Sequence, residues 1–150
     1  MSSQKFIRGY AAIGLFNPKT ELNVGSVMRA AGAYNAGMVA IQGRRFKASA
    51  TDPASSHLHM PVIETDDLWS VIPYDCVPVA VEYIESATSL VDYVHPERAF
   101  YIFGPEDGSI SNEIVKKCRD VVYVPTAQCM NLAATANVLM YDRLAKQLRR

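Results

Sequence analysis

No uninterrupted apolar run in the 150 residues approaches the ~18 that a membrane helix needs. The first residues lack the basic and apolar regions of a signal peptide, and Met1 leads through polar residues into a strand-like stretch. Cysteine is scarce. Cys76, Cys118 and Cys129 are an odd number without C-x-x-C spacing. That argues against a disulfide framework or a zinc site and makes a reducing cytoplasm the expected location. An excess of either charge is missing too, since fifteen Lys plus Arg balance fifteen Asp plus Glu. No overall basic field announces a polyanion partner, so nucleic-acid binding would need local patches. Two candidates exist, Arg44, Arg45 and Lys47, and the C-terminal Lys146, Arg149 and Arg150. Each patch also reads as ordinary solvated charge.

Several catalytic signatures are absent. No G-x-G-x-x-G follows the first strand-like segment, and there is no G-x-x-x-x-G-K-[ST], G-x-S-x-G or H-E-x-x-H. His57 and His59 stand two apart with no further ligand pattern, so they read as loop histidines and no metal is expected. Cys129 reads as a small packed residue rather than a nucleophile, having no histidine near it in sequence.

What is present is an apolar content of 49%, enough for a core within one domain spanning residues 1–150. Apolar runs at 9–16, 38–42, 77–83, 99–104 and 121–125 read as short strands apolar on both faces. Between and after them lie helix candidates at 24–36, 65–72, 87–94, 110–118 and 131–148. Doubly apolar strands alternating with helices predict an α/β domain, its largely parallel sheet covered on both sides. Residues 43–61 are polar and read as a loop.

One charge is oddly placed. Between Glu21 and Arg44 the only charged side chain is Arg29, set among Val27, Met28, Ala30, Ala31 and Ala33. Burying an unpaired guanidinium is costly, which predicts a partner. Ligands of open α/β sheets bind beyond the carboxyl ends of the strands. Three strand-to-helix turns carry polar residues there: "NPKTELNVG" with Asn23 and Gly25, "PEDGSIS" with Glu106, and "TAQCMN" with Asn131. On one sheet edge, Glu106 would neutralise Arg29, with Asn23 and Asn131 bonding nearby. Each residue also has a plainer reading. Asn23 and Asn131 suit helix caps, Gly25 close packing, and Glu106 a helix N-terminus.

At these residues the sequence resembles the SPOUT superfamily, specifically the SpoU/TrmH-like RNA 2′-O-methyltransferases of minimal, TrmL-like size. The N-x-G-x-x-x-R motif is matched by Asn23, Gly25 and Arg29, and the strand ending in G-x-E by Gly104 and Glu106. The Pro-containing loop and S-L-N before the last helix are matched by Pro125 and Asn131, with Cys129 in place of serine and Met130 in place of leucine. The resemblance covers nearly the whole chain in the family's order.

The resemblance implies a C-terminal deep trefoil knot whose loops cradle S-adenosylmethionine. It implies a homodimer packed through the first and last helices, and an RNA site spanning both copies. Arg29, Asn23, Glu106, Asn131 and Cys129 would be the catalytic set. Glu82, Tyr83, Gly104, Val124, Met130 and Leu132 would surround the cofactor, and Arg44, Arg45 and Lys47 would meet RNA, with tRNA the expected class. Family accounts make the motif-one arginine a general base or a ribose-positioning group. A guanidinium is effectively always protonated in proteins and is costly to neutralise, which favours the positioning role. Two other readings stay open: an RNA-binding protein of the same fold without methyl-donor binding, and a small flavodoxin-like enzyme with Arg29 on a phosphate.

Overall fold

The computed structural model describes residues 8–43 and 60–149. Seven strands form one sheet: β1 (Tyr10–Phe16), β2 (Val39–Gln42), β3 (Val62–Thr65), β4 (Val77–Val81), β5 (Thr88–Ser89), β6 (Arg98–Phe103) and β7 (Asp120–Tyr123). Their order is β3-β2-β1-β6-β4-β7-β5, and every neighbouring pair is parallel. The helices are α1 (Glu21–Ala33), α2 (Asn112–Lys117) and α3 (Leu132–Leu148). None of the described helices is long and apolar enough to cross a membrane.

Alternation along the strands builds two cores. Ile13, Leu15, Val39, Ile41, Val79, Tyr101 and Phe103 point to one face, where Val24, Val27 and Ala31 of α1 and Ala136, Leu139 and Met140 of α3 cover them. Ala12, Ala40, Ala80, Phe100 and Ile102 point to the other, under Leu68, Ile110 and the Ile114 side of α2. Strands buried on both faces explain the continuous apolar runs in the sequence.

The predicted segments 65–72 and 87–94 are not helices. Thr65 ends β3, and a single 3-10 turn follows at Leu68–Val71, capped by Asp67 rather than by Thr65 or Asp66. Residues 88–89 form β5, followed by a 3-10 turn at Leu90–Asp92. In each, a short polar side chain takes a nearby backbone N–H, with Asp67 Oδ1 accepting from Trp69 and Ser89 Oγ from Val91. Such local bonds offer the backbone an alternative to the helix. Helix α1 begins three residues earlier than its apolar pattern, because Thr20 Oγ1 accepts from Asn23 N.

The last helix is tied down by a buried polar cluster absent from the sequence reading. Arg143 is only 5% exposed. Its Nη1 donates to Pro96 O (2.7 Å) and Tyr101 Oη (3.1 Å), and its Nη2 to Glu97 O (2.8 Å). His95 Nε2 donates to Asp142 Oδ2 (2.8 Å), so in the neutral imidazole Nδ1 accepts from Tyr101 Oη (2.7 Å). Lys146 Nζ donates to Leu90 O (2.6 Å) and Tyr93 O (2.8 Å) and pairs with Asp142. The C-terminal basic patch is thereby reduced, since Lys146 is committed to the interior.

Burial holds the His95 imidazole below its ordinary pKa, against an opposing pull from Asp142. As pH falls through about 6.5, the unfolded chain therefore takes up the proton more readily than the folded one. The stability this group contributes is complete above about pH 6.5 and is lost below it. Urea midpoints should fall between pH 7.5 and pH 5.5, and His95→Gln should flatten that dependence. An equally steep dependence in the variant would assign it elsewhere.

Candidate active site

The turns after β1, β6 and β7 meet at the carboxyl edge of the sheet. With Thr20 as the cap of α1, Asn23 is free to bond outward. Its Nδ2 donates to Glu106 Oε1 (3.0 Å), and its Oδ1 accepts from Asn131 Nδ2 (3.3 Å). Glu106 Oε2 accepts from Lys19 N (2.8 Å). Asn131 also caps α3, its Oδ1 accepting from Ala134 N (3.1 Å). Capping and convergence are thus compatible in one side chain, and three distant turns are locked into a single polar relay.

Beside the relay opens a cleft of about 440 Å³, within the usual range for small-molecule sites. Its walls are the turn after β4, the loop after β6, and the segment from the end of β7 into α3. It brings together Glu82, Tyr83, Gly104, Glu106, Val124, Cys129, Met130 and Leu132. Gly104 has a specific reason to be there. A Cβ would sit 2.9 Å from Ile110 N and 3.0 Å from Ile110 Cγ1, so only glycine lets the 105–110 loop fold back over the cleft.

The charge in this cleft is of one sign. Glu82 and Glu106 line it, and no lysine or arginine does among the described residues. Phosphate sites gather cations and backbone N–H groups. This cleft has the opposite character, and the flavodoxin-like phosphate reading finds no anion site at the "PEDGS" turn, which places Glu106 there beside Asp107. Two carboxylates and an apolar floor that includes Leu132 suit a cationic, partly apolar ligand instead.

Arg29 is not where the sequence argument put it. The expected Arg29–Glu106 pair does not form: the guanidinium is exposed, and Glu106 is engaged by Asn23 and Lys19. The reason is helical phase. Val24, Val27, Met28 and Ala31 make the buried stripe of α1, whereas Leu22 and Arg29 lie seven residues apart on its open face. The alanines around Arg29 belong to both faces, so the charge was never enclosed. Arg29 also stands six residues beyond Asn23, about 9 Å along the helix axis. Arg44, Arg45, Lys47, His57, His59 and Arg150 lie outside the described residues.

Sequence reasoning missed Tyr123, Thr126, Gln128 and Thr135 in the cleft wall. A single aromatic inside the apolar run 121–125 was the available signal for Tyr123.

A model of the SpoU rRNA methylase family matches residues 10–141. The fold superimposes on the SpoU methyltransferase AviRb from Streptomyces viridochromogenes in complex with AdoMet, with a TM-score of 0.79 and 20% identity over 96% of this chain and 60% of that one. It also superimposes on the A. aeolicus TrmH/SpoU tRNA modifying enzyme (TM-score 0.80, 15% identity, 95% and 79% of the two chains). A third similar structure concerns the 2-OH methylation of C/U34 on tRNA (TM-score 0.78, 19% identity, 95% and 99% of the two chains). The chain spans about three fifths of the length of AviRb. No curated protein matches it significantly.

Proposed function

The chain belongs to the SpoU rRNA methylase family, and from that premise we propose that it is an S-adenosylmethionine-dependent RNA 2′-O-ribose methyltransferase that works as a homodimer on tRNA. The observation that carries this reading is the anionic cleft, lined among the described residues by no lysine or arginine, beside the Glu106–Asn23–Asn131 relay. When bound, S-adenosylmethionine supplies an electrophilic methyl group on a positively charged sulfur. Glu82 and Glu106 give the cleft the charge that such a cation requires. Gly104, Val124, Met130 and Leu132 would enclose the donor.

The chain's own groups provide orientation. Cys129 lines the cleft and Asn131 belongs to the relay beside it; both would align the ribose hydroxyl, with Asn23 holding Asn131 in place. Positioning of this kind accounts for much of the barrier reduction when reacting atoms are held in line. Arg29, charged and unencumbered on α1, is read as an anchor for the ribose or a neighbouring phosphate rather than as a base.

Two features support the remaining parts of the reading. Tyr141 on α3 is 61% exposed and lines an apolar groove with Tyr34 and Val138, beside the helix α1 that α3 packs against. A homodimer joined through α1 and α3 would cover that face. Strand β7 lies between β4 and β5, and the segment leaving it runs into a helix fastened to residues 90–97. That path supports a knotted C-terminus.

Calorimetry with S-adenosylhomocysteine should show saturable binding. Bulk tRNA incubated with the protein and S-adenosylmethionine should yield 2′-O-methylated nucleosides by mass spectrometry. Base-methylated products would overturn the reaction assigned, and RNA binding without S-adenosylhomocysteine binding would leave an RNA-binding protein of this fold.

A further inference from the structure

We propose that the turn after β4 serves the two ligands of the reaction separately: Glu82 sets the width of the methyl-donor cleft without touching the donor, and Tyr83 offers its ring to an unpaired base of the RNA. This rests on the methyltransferase reading, and it separates two neighbours that the sequence assigned together to the cofactor.

Both oxygens of Glu82 are taken. Oε1 accepts from Tyr83 N and Oε2 from Ile110 N, each at 3.0 Å. The first bond fixes the turn itself, and the second crosses to the loop after β6, so the carboxylate joins two of the three cleft walls. The fit depends on Gly104, whose missing Cβ leaves Ile110 N free to reach across. Ile110 is 3% exposed, so this end of the strut is set in the core. A carboxylate accepting two backbone N–H groups is held by charge-assisted bonds, which favours a fixed separation of the walls.

Tyr83 has the opposite surroundings. Its backbone is pinned by Glu82, while its side chain is 77% exposed at the cleft mouth. The ring meets Tyr123 edge-on, with centroids 5.1 Å apart and an interplanar angle of 80°. A T-shaped contact with a single ring leaves at least one face of Tyr83 open, and the residue's exposure turns that face to solvent. Leu132, deeper in the same cleft, is 7% exposed. The mouth and the floor therefore meet different partners. An exposed aromatic beside a ribose-modifying site fits a nucleobase, and stacking on aromatic side chains is how proteins hold splayed-out single-stranded RNA. Because every base has a π-face, Tyr83 selects for an unpaired nucleotide and not for its identity.

The experiment compares wild type with Tyr83→Ala, Tyr83→Phe, Glu82→Ala and Glu82→Gln. S-adenosylhomocysteine binding is measured by calorimetry, and binding of single-stranded and duplex RNA oligonucleotides by fluorescence anisotropy. Tyr83→Ala should weaken single-stranded RNA binding at least ~5-fold, the lower end of a lost stack, and leave S-adenosylhomocysteine affinity within about twofold. Tyr83→Phe should restore RNA binding. Glu82→Ala should weaken S-adenosylhomocysteine binding by about tenfold or more, on the scale of a lost charge-assisted bond. It should also speed hydrogen exchange at the Ile110 amide, with Glu82→Gln intermediate in both. The reverse pattern, or variants that change neither affinity, overturns the proposal. Intact S-adenosylhomocysteine affinity in Glu82→Ala with a fast-exchanging Ile110 amide overturns the role of Glu82. If wild type binds neither probe, the methyltransferase reading itself has failed; if it binds both and the variants do not separate them, only this proposal has.

Discussion

Replacing Arg29 with alanine should reduce methyl transfer by at least ~10², the usual consequence of losing one positioning group, while S-adenosylhomocysteine affinity stays within about twofold. The split follows from where the residue stands. Arg29 is exposed on the open face of α1 and lines no part of the cleft, so its removal leaves the donor's surroundings intact. A guanidinium presents donors in a rigid fork that matches the paired oxygens of a phosphate. Arg29→Lys keeps the charge and loses the fork, and should recover only part of the activity. Single-turnover assays at saturating RNA separate loss of binding from loss of rate. Undiminished turnover in Arg29→Ala would remove Arg29 from the mechanism.

The second large effect is on stability. Arg143→Ala should destabilise the protein by about 3–5 kcal/mol, since several buried acceptors lose their donor at roughly 1–3 kcal/mol each. The loss is large because the guanidinium satisfies Pro96 O, Glu97 O and the Tyr101 hydroxyl at once, at 5% exposure. Glu97 O also accepts from Tyr10 N, and Gly9 next to it adopts φ +109° where a Cβ would collide with that same carbonyl. Arg143 thus holds the point where the start of β1, the entry to β6 and the last helix come together. At roughly 2–4 °C per kcal/mol for a chain of this size, melting should drop by about 10 °C. A fall of one or two degrees would mean that water replaces the guanidinium without difficulty.

Arg143 and Arg29 also show what the sequence discloses and what it conceals. Five strands were legible because doubly buried strands leave continuous apolar runs, and α3 because its apolar residues keep helical spacing over seventeen residues. The convergence of Asn23, Glu106 and Asn131 was legible from topology alone, since strand-to-helix turns of a parallel sheet share one edge. Strands β3 and β5 were not. Each is a short edge strand, and short polar residues follow or form it. The sequence suggested that Arg29 was enclosed and gave no sign of Arg143, the arginine that is buried. Apolar neighbours in sequence suggested an enclosed Arg29, yet a helix turns each successive side chain by about 100° and puts this one outside. Arg143 sits between Asp142 and Leu144 in an ordinary amphipathic pattern, and nothing local reveals that carbonyls 46 and 47 residues away await it.

The central position of β6 has a consequence for biogenesis. Strand β1 completes its pairing only with Arg98–Phe103, and β4 borrows the opposite side of the same strand. At ~5–20 residues per second, a translating ribosome needs about 4–17 s to go from Phe16 to Phe103. Throughout that interval one side of β1 lacks its partner, and once Val81 has been added β4 waits unpaired as well. Such open edges invite pairing with other chains, so the growing polypeptide depends on being shielded until its sixth strand emerges.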